Sequence, residues 1–234
     1  MNNSNASQSP VISVNNLIKY YDNGLVKALN GLSFKIKQGE SVAIMGPSGC
    51  GKSTLLNLMG TLDFPTKGEV RFNNKNILNY RPLHAFRAKY IGFVFQFHHL
   101  IPGLTLLENV ELPMIPLNIS KKIRQERAER ILREMGLADR MNFLPTRVSG
   151  GERQRAAVSR ALINNPEIIL ADEPTGNLDT VTGERVIHYI LSHCRKEKKT
   201  VVIATHNPEL TQKTDRLLNL KNGLLESEQK NNRK

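Results

Sequence analysis

The sequence predicts an α/β fold, and three observations support this expectation. Strand-sized apolar runs recur along the chain, and several are continuous, which is typical of strands covered on both faces. Helical patterns begin between these runs, so strands and helices alternate. The length of 234 residues allows one well-buried domain with an inserted subdomain and is too short for two ordinary domains.

The elements follow in order along the chain. Strands are predicted at Ile12–Val14, Leu32–Ile36, Ser41–Met45, Val70–Phe72, Ile91–Phe95, Ile168–Ala171 and Val201–Ala204. Helices are predicted to begin at Lys52, Lys121, Ser149 and about Val181. Near the end, the turn Asn222-Gly223 predicts a hairpin that joins Leu217–Leu220 to Leu224–Leu225.

Three stretches depart from this alternation. Residues from about 97 to 164 are largely helical, which predicts an inserted helical subdomain within a domain that spans residues 11–225. Residues 1–10 are polar and predict a disordered tail. Residues 226–234 predict a second polar tail, which we expect to be frayed.

The composition, 39% hydrophobic and 23% charged residues, is that of a globular protein. No apolar run approaches the ~18 residues that cross a bilayer, and the first ten residues lack the features of a secretory signal. Cys50 and Cys194 show neither metal-type spacing nor a framework of pairs, which indicates a reducing compartment. We therefore expect a cytoplasmic protein that does not itself span a membrane.

The formal net charge of +12 predicts an anionic neighbour. Nucleic acid, the negative inner face of a membrane and nucleotide phosphate all fit, and charge alone does not choose among them. The basic residues of the helix that begins at Lys121 are more simply interpreted as a solvated helix face.

A phosphate-binding pattern, G-x-x-x-x-G-K-[ST], lies between a predicted strand and a predicted helix. Its residues are Gly46, Pro47, Ser48, Gly49, Cys50, Gly51, Lys52 and Ser53, and Thr54 follows on the helix. Glycines let the backbone wrap closely around phosphate, so that N–H groups face the negative oxygens. Lys52 is expected to hold the β- and γ-phosphates, and Ser53 to ligate Mg²⁺. The alternative is a glycine-rich turn that binds no phosphate.

Two carboxylates, Asp172 and Glu173, follow the apolar strand Ile168–Ala171. They are expected at the carboxyl edge of the sheet, where ligands bind. Asp172 can hold Mg²⁺ through water, and Glu173 can orient and deprotonate the attacking water. The alternative is that both acids are helix-capping residues, which is less favoured in a chain that also has a phosphate-binding pattern.

The run Ser149-Gly150-Gly151-Glu152 begins another predicted helix with the S-x-x-E spacing of a capping box. A well-capped helix is the simple interpretation. Yet each glycine weakens a helix by ~1 kcal/mol relative to alanine, which a purely structural role leaves unexplained. A helix N-terminus that offers the Ser149 hydroxyl and N–H groups to an anion explains the glycines.

These three motifs, in this order, resemble the nucleotide-binding domain of ABC transporters, with VSGGERQR at residues 148–155 in the place of that family's signature. The resemblance covers the chain from about Val11 to Leu225. It implies a P-loop NTPase with a RecA-like core, an antiparallel β subdomain and an inserted α-helical subdomain. It also implies an ATPase that uses ATP and Mg²⁺ and whose signature residues act on a nucleotide held by a second copy.

The same resemblance implies roles for four further residues. Tyr21 matches the aromatic residue that stacks on adenine, although adjacent Tyr20 leaves the register open by one place. Gln96 matches the glutamine that touches Mg²⁺ and signals to the membrane partner. Asp179 matches the loop that couples the two sites of a dimer, and His206 matches the switch histidine that contacts the γ-phosphate.

The implied partners are a second copy, forming a homodimer in the ATP state, and integral membrane permease subunits. The segment after Gln96, up to Leu117, would dock the permease, which places the protein peripherally on the inner face of the membrane. The string at residues 95–110, FQFHHLIPGLTLLENV, is similar to lipoprotein-releasing ATPases of the LolD type and to MacB-like exporters. Val148 and Asn207 depart from the residues that are usual at these places in the family.

Two other function classes share the phosphate loop. An ABC-type ATPase that acts on nucleic acid or the ribosome would show a long coiled coil or two motif sets, whereas residues 52–149 hold no sustained heptads and the motifs occur once. We therefore expect no nucleic-acid partner. A P-loop phosphotransferase would have no use for SGGERQR or His206.

Overall fold

The computed structural model describes residues 10–231, and ten strands in that range form two sheets. The strands are β1 (Pro10–Tyr21), β2 (Val26–Lys37), β3 (Ser41–Met45), β4 (Lys67–Phe72), β5 (Lys75–Asn76), β6 (Ile91–Val94), β7 (Ile168–Asp172), β8 (Thr200–Thr205), β9 (Arg216–Lys221) and β10 (Leu224–Lys230). The α-helices are α1 (Lys52–Met59), α2 (Leu83–Tyr90), α3 (Leu106–Glu111), α4 (Lys121–Glu134), α5 (Gly150–Leu162), α6 (Thr180–Lys196) and α7 (Pro208–Gln212).

The larger sheet has the order β10-β9-β3-β8-β7-β6. Its strands are parallel except β10, which pairs antiparallel with β9. The smaller sheet, β2-β1-β4-β5, is antiparallel throughout. The α/β fold and the antiparallel β subdomain expected from the sequence are therefore confirmed.

The parallel sheet is buried on both faces. Successive side chains of a strand point to opposite sides, so alternate residues contact different neighbours. In β7, Ile168 and Leu170 belong to a buried cluster that includes α1 and the antiparallel sheet. Ile169 and Ala171 belong to a second cluster, which includes residues of α3, α4, α5 and α6. The continuous apolar runs of the sequence thus correspond to strands covered on both sides.

All seven predicted strands are present, but the chain holds elements that were not predicted. The α-helices α2 and α7 are two of these; α2 fully buries only Phe86, and α7 is only five residues long. Between β6 and β7 the structure places α3, α4 and α5 and no strand, in the stretch expected to be helical. No helix within residues 10–231 is long and apolar enough to cross a membrane.

The prediction of a frayed C-terminal tail is wrong for residues 226–230. Strand β10 runs on to Lys230, which pairs with Arg216 of β9. Its side chains are polar because β10 is an exposed edge strand, so backbone pairing rather than apolar burial holds it. Pro10 likewise belongs to β1 rather than to a tail. The rest of both predicted tails, residues 1–9 and 232–234, lies outside the described residues.

Candidate functional site

The candidate site lies at the carboxyl edge of the parallel sheet. Met45, the last residue of β3, pairs with Thr205 of β8, and Asp172 of β7 pairs with Ala204 of the same strand. The three strands therefore end at the same level, and the residues that follow them meet at one edge. This register brings the phosphate-binding pattern, the two carboxylates and the expected switch histidine together.

The loop between β3 and α1 depends on glycine at its two ends. A Cβ on Gly46 would lie 2.2 Å from the carbonyl oxygen of Leu220, which no side chain tolerates. Gly51 has a φ of +103°, and a Cβ there would lie 2.5 Å from the carbonyl oxygen of Ala28. No side chain caps the N-terminus of α1, so its first N–H groups are available to an anion.

Lys52 bends back over this loop. Its Nζ donates hydrogen bonds to the carbonyl oxygens of Gly46 at 2.7 Å and Pro47 at 3.1 Å, and it lies 4.0 Å from Sγ of Cys50. Cys50 is buried and forms no disulfide. Neutral carbonyl acceptors thus hold the ammonium group over the loop, and phosphate oxygens would be stronger acceptors for the same charge.

Asp172 supplies a buried oxygen that suits a cation. Its Oδ1 has no hydrogen-bond partner among the described residues. Burial raises the pKa of Asp172 and the charge of Glu173 raises it further, whereas a hydrogen bond with Ser53 and the charge of Lys52 lower it. Mg²⁺ takes oxygen ligands and is commonly held by one or two protein groups together with substrate phosphates. The unpartnered Oδ1 and the neighbouring Ser53 hydroxyl fit that ion.

Protein groups alone do not form a complete metal site here. Within the described chain, no cluster of three or more His, Cys, Asp or Glu residues could hold a metal ion. Any cation at Asp172 would therefore need oxygens from a substrate or from water, as Mg²⁺ bound with a nucleotide has.

Glu173 and His206, the expected acid and the expected switch histidine, lie in direct contact. His206 Nδ1 lies 2.9 Å from Glu173 Oε2, and the glutamate side chain is largely buried whereas the histidine is exposed. Glu173 has a φ of +44°, an uncommon conformation for a residue with a side chain. Its N–H donates to the carbonyl oxygen of Ala204 at 2.9 Å, which ties the acid to β8. Neither Asp172 nor Glu173 caps a helix, so the alternative role for these acids is wrong.

Gln96 lies beside the loop that follows Glu173. Its carbonyl oxygen accepts a hydrogen bond from Asn177 Nδ2 at 3.0 Å. Its side chain packs so closely on Gly176 that a Cβ there would lie 2.9 Å from Gln96 Nε2. Gln96 and the loop that follows Glu173 are thus in direct contact.

Tyr21 lies near the start of α1. Its hydroxyl donates to Asp63 at 2.7 Å, and Lys19 Nζ lies 4.6 Å from the centre of its ring. Burial raises the pKa of Tyr21, Asp63 raises it too, and a hydrogen bond with Thr54 lowers it. Thr54 is part of the phosphate-binding stretch, so Tyr21 adjoins that stretch. The neighbouring Tyr20 instead faces Lys27.

The signature residues form the predicted capping box at the start of α5. The Ser149 hydroxyl accepts from Glu152 N at 3.3 Å, and Glu152 Oε2 accepts from Ser149 N at 2.7 Å. Sequence analysis found no structural reason for glycine at positions 150 and 151. The structure supplies such a reason for Gly151. A Cβ on Gly151 would lie 2.7 Å from Cγ2 of Thr182, whereas Gly150 has no atom nearer than 3.8 Å.

The capping box is not joined to the phosphate loop of the same chain. Among residues 10–231, no hydrogen bond or ion pair connects residues 149–152 with residues 46–53; Glu152 pairs instead with Arg140 at 3.3 Å. The structure therefore brings most of the predicted site residues to one edge and leaves the signature residues apart from them.

Asp179 is the N-cap of α6. Its carboxylate accepts a hydrogen bond from Thr182 N at 3.0 Å. Hydrogen bonds with the side chain of Thr182 and then with its backbone lower the pKa of Asp179. Thr182 is also the residue that meets Gly151. Asp179 and the signature turn thus contact the same residue of α6.

Two residues of α5 with clear partners were not found by sequence reasoning. Gln154 Nε2 donates to the carbonyl oxygen of Pro174 at 2.8 Å. Arg160 donates to the carbonyl oxygens of His99 and His98, at 2.5 and 2.6 Å. Helix periodicity places both residues on α5, but it carries no information about these distant partners.

A groove of about 390 Å³ opens beside Arg160, and we call it the α2–α5 groove. Its apolar lining comes from β6, α5 and the segment between α3 and α4. Lining residues include Phe93, Phe95, Leu112, Pro113, Pro116 and Ala161. Part of this lining belongs to the segment after Gln96 that was expected to dock a partner.

Comparison with known proteins gives one consistent family. The family model described as ABC transporter matches residues 29–176. The chain is 45% identical to the lipoprotein-releasing system ATP-binding protein LolD of Syntrophus aciditrophicus, over 91% of this chain and 97% of that protein. It is 46% identical to YknY of Bacillus subtilis, described as an uncharacterized ABC transporter ATP-binding protein, over 91% of this chain and 94% of the relative.

Solved structures show the same likeness. A dimeric post-hydrolysis state of the ATP-binding cassette MJ0796, bound to ADP and phosphate, matches with a TM-score of 0.87 and 43% identity, over 94% of this chain and 99% of that one. The cbiO1 protein of Clostridium perfringens, part of the transporter complex cbiONQ, matches with a TM-score of 0.82 and 26% identity, over 95% of this chain and 88% of that one.

Proposed function

Since this chain belongs to the ABC transporter family of ATP-binding proteins, we propose that it is the ATP-hydrolysing subunit of an exporter of the lipoprotein-releasing type. The observation that carries the catalytic part is the position of Glu173. This acid stands at the carboxyl edge of the sheet, 2.9 Å from His206 and next to Asp172. Relatives named LolD support the transport part of the proposal.

The chemistry follows from the chain's own groups. The N–H groups of the loop 46–51 and the Lys52 ammonium bind the phosphates of ATP. Asp172, through water, and Ser53 would hold Mg²⁺, with Gln96 as a further ligand, and the ion would neutralise phosphate charge. Glu173 accepts a proton from the water whose oxygen attacks the γ-phosphorus, and His206 orients that acid. The bond from the γ-phosphorus to the β–γ bridging oxygen breaks, so ADP leaves and phosphate is released. Tyr21, beside Thr54, stacks on the adenine.

A second copy completes each site. Within residues 10–231, residues 149–152 form no hydrogen bond or ion pair with their own phosphate loop, and the helix N-terminus at the exposed Ser149 suits the γ-phosphate bound by a neighbour. Head-to-tail pairing would supply this contact twice, with Asp179 near the junction. The dimeric structures of MJ0796 support such an assembly. ATP would close the dimer and hydrolysis would open it.

The membrane partner would dock at the α2–α5 groove, which places the protein on the inner face of the membrane. The groove is mostly apolar, and Phe97, which lies in sequence between the lining residues Phe95 and His99, is 68% exposed. An apolar segment from an integral membrane subunit fits this surface. Movement of the two copies would then be passed to that subunit, and the cargo would be chosen by it.

The variant Glu173→Gln tests this proposal. Glutamine has the same size but cannot accept the proton, so ATP remains intact and the closed dimer should accumulate. Size-exclusion chromatography with ATP and Mg²⁺ is expected to show a dimer, and the same sample with EDTA a monomer. A monomer under both conditions would reject the two-copy site. Release of free phosphate by the wild-type protein without transfer to an acceptor separates an ATPase from a phosphotransferase.

A further inference from the structure

Gln154 connects the signature helix to the catalytic acid of the same chain. It lies on α5, one turn after Gly150, and only 1% of its surface is exposed. Its Nε2 donates a fully buried hydrogen bond to the carbonyl oxygen of Pro174 at 2.8 Å. Pro174 directly follows Glu173, so this bond fixes the peptide between Pro174 and Thr175, one residue after the acid.

The acid needs this support because its backbone is unusual. Glu173 has a φ of +44°, which persists only where the surrounding structure holds it. Ala204 holds Glu173 from its N–H side. On the other side Pro174 has no N–H of its own, so its carbonyl is the only backbone polar group that can anchor that residue. Gln154 provides the donor.

Only the donor half of the Gln154 amide is used. Its Oε1 is buried and has no hydrogen-bond partner among the described residues. A buried acceptor without a partner is unfavourable, so the side chain is not explained as a residue that simply fills space. The loop it anchors also contacts Gln96, through Asn177 and Gly176. Signature helix, catalytic acid and loop glutamine thus meet at one short segment, residues 174–177.

We propose that Gln154 is a positioning residue that ties the signature turn of one chain to Glu173 of that same chain. This inference rests on the proposed two-copy site. In that assembly Ser149 and Gly151 close on ATP held by the neighbour, while Glu173 acts on ATP held by its own chain. Because Gln154 lies on the same helix as the signature turn, a shift of α5 on closure at one site would be passed to the acid of the other site, and the two sites would hydrolyse ATP in a coupled way.

The test uses Gln154→Met, which keeps the length of the side chain and removes the donor. The control is Gln125→Met on α4, an exposed glutamine whose side chain contacts Glu129 at 3.2 Å. We expect Gln154→Met to lower kcat about tenfold and to bring the Hill coefficient for ATP close to one, with KM little changed. The control should match the wild type. An unchanged kcat and Hill coefficient for Gln154→Met would overturn the inference.

Mixed dimers, purified through two different affinity tags, separate this role from damage to the signature turn. In a dimer of one Glu173→Gln chain and one Gln154→Met chain, the only intact acid lies beside the altered Gln154, so hydrolysis should be about tenfold slower. With both changes on one chain and a wild-type partner, the intact acid keeps its own Gln154. That dimer should be as active as wild type paired with Glu173→Gln. The opposite pattern would mean that Gln154 acts only through the signature.

The proposed function can fail separately from this inference. Failure of Glu173→Gln to dimerise with ATP rejects the two-copy site, whatever Gln154 does. If dimers form and the two arrangements are equally active, the inference alone is rejected. Should Gln154→Met lower Tm by so much that no dimer forms, Gln154→Asn replaces it, since its shorter amide cannot reach Pro174 from the same position on α5.

Discussion

Oε2 of Glu173 lies 2.9 Å from Nδ1 of His206, and the two residues follow neighbouring parallel strands, β7 and β8. The side chain of Glu173 is 15% exposed, whereas that of His206 is 72% exposed. Glu173 is therefore held within the protein interior, whereas His206 contacts it from the solvent side. A change at His206 can test the orientation of the acid without disturbing the core.

His206→Ala should lower kcat by about 10²-fold or more, because Glu173 loses the group that orients it. ATP binding should remain, since Lys52 and the loop backbone are unchanged. Stability should change by less than about 0.5 kcal/mol, as is usual for an exposed side chain. Steady-state ATPase assays and ATP titrations measure these quantities. His188→Ala, exposed on α6, is the control, and equal kcat for both variants would contradict the role of His206.

Asp172→Asn should raise the Tm of the protein without nucleotide. Burial raises the pKa of Asp172, so above that pKa the folded state carries an unfavourable charge that asparagine lacks. The gain should be full above the raised pKa of the folded state, should shrink as pH falls below that pKa, and should be gone below the unfolded value of about 4. Thermal melts over a pH range that extends below the unfolded value measure it.

The same variant should lose the stabilisation that ATP with Mg²⁺ adds to the wild type, because a neutral amide binds Mg²⁺ poorly. A lower Tm without nucleotide, or full stabilisation by ATP and Mg²⁺, would contradict the assignment of Asp172.

Gly151→Ala should destabilise the fold by about 1–3 kcal/mol, because its Cβ would lie 2.7 Å from Cγ2 of Thr182. Gly150→Ala is the matched control, since its nearest atom lies 3.8 Å away. Urea unfolding measures both changes. Thr182→Ser removes the clashing methyl group, so adding it to Gly151→Ala should restore most of the lost stability. Without such rescue, the contact with Thr182 is not the cause.

Arg160→Lys should lower the free energy of unfolding by about 1–3 kcal/mol. Burial lowers the pKa of Arg160 to about 10, and its two terminal nitrogens hold the carbonyl oxygens of His98 and His99. A lysine ammonium cannot bind both oxygens in the same fork geometry. Urea unfolding of Arg160→Lys should therefore differ from that of the exposed control Arg130→Lys, and identical curves would contradict the prediction.

Sequence reasoning worked where the chemistry is local. The phosphate-binding stretch from Gly46 to Ser53 carries its own turn, glycines and helix start, so pattern and structure agree. The box of Ser149 and Glu152 spans four residues and is present as predicted. The position of Asp172 and Glu173 follows from one buried strand and the rule that ligands bind at carboxyl edges.

It failed where partners are far apart in the chain. Gln154 and Pro174 are 20 positions apart, and Arg160 and His98 are 62 apart, so no short pattern reports either bond. Strand β10 was missed beyond Leu225 because its stability comes from the backbone of β9, while its own side chains are polar. The need for glycine at position 151 comes from Thr182 on α6, and this contact between two helices exists only in the folded chain.

Both faces of strand β7 are covered, since alternate side chains from Ile168 to Ala171 belong to two separate apolar layers. A larger side chain at one of these positions would press on the layer that it points into, and the layer on the opposite face would keep the strand from shifting away. A strand that is packed on both faces moves little. Glu173, which directly follows β7, therefore keeps its position and orientation while outer parts of the molecule move.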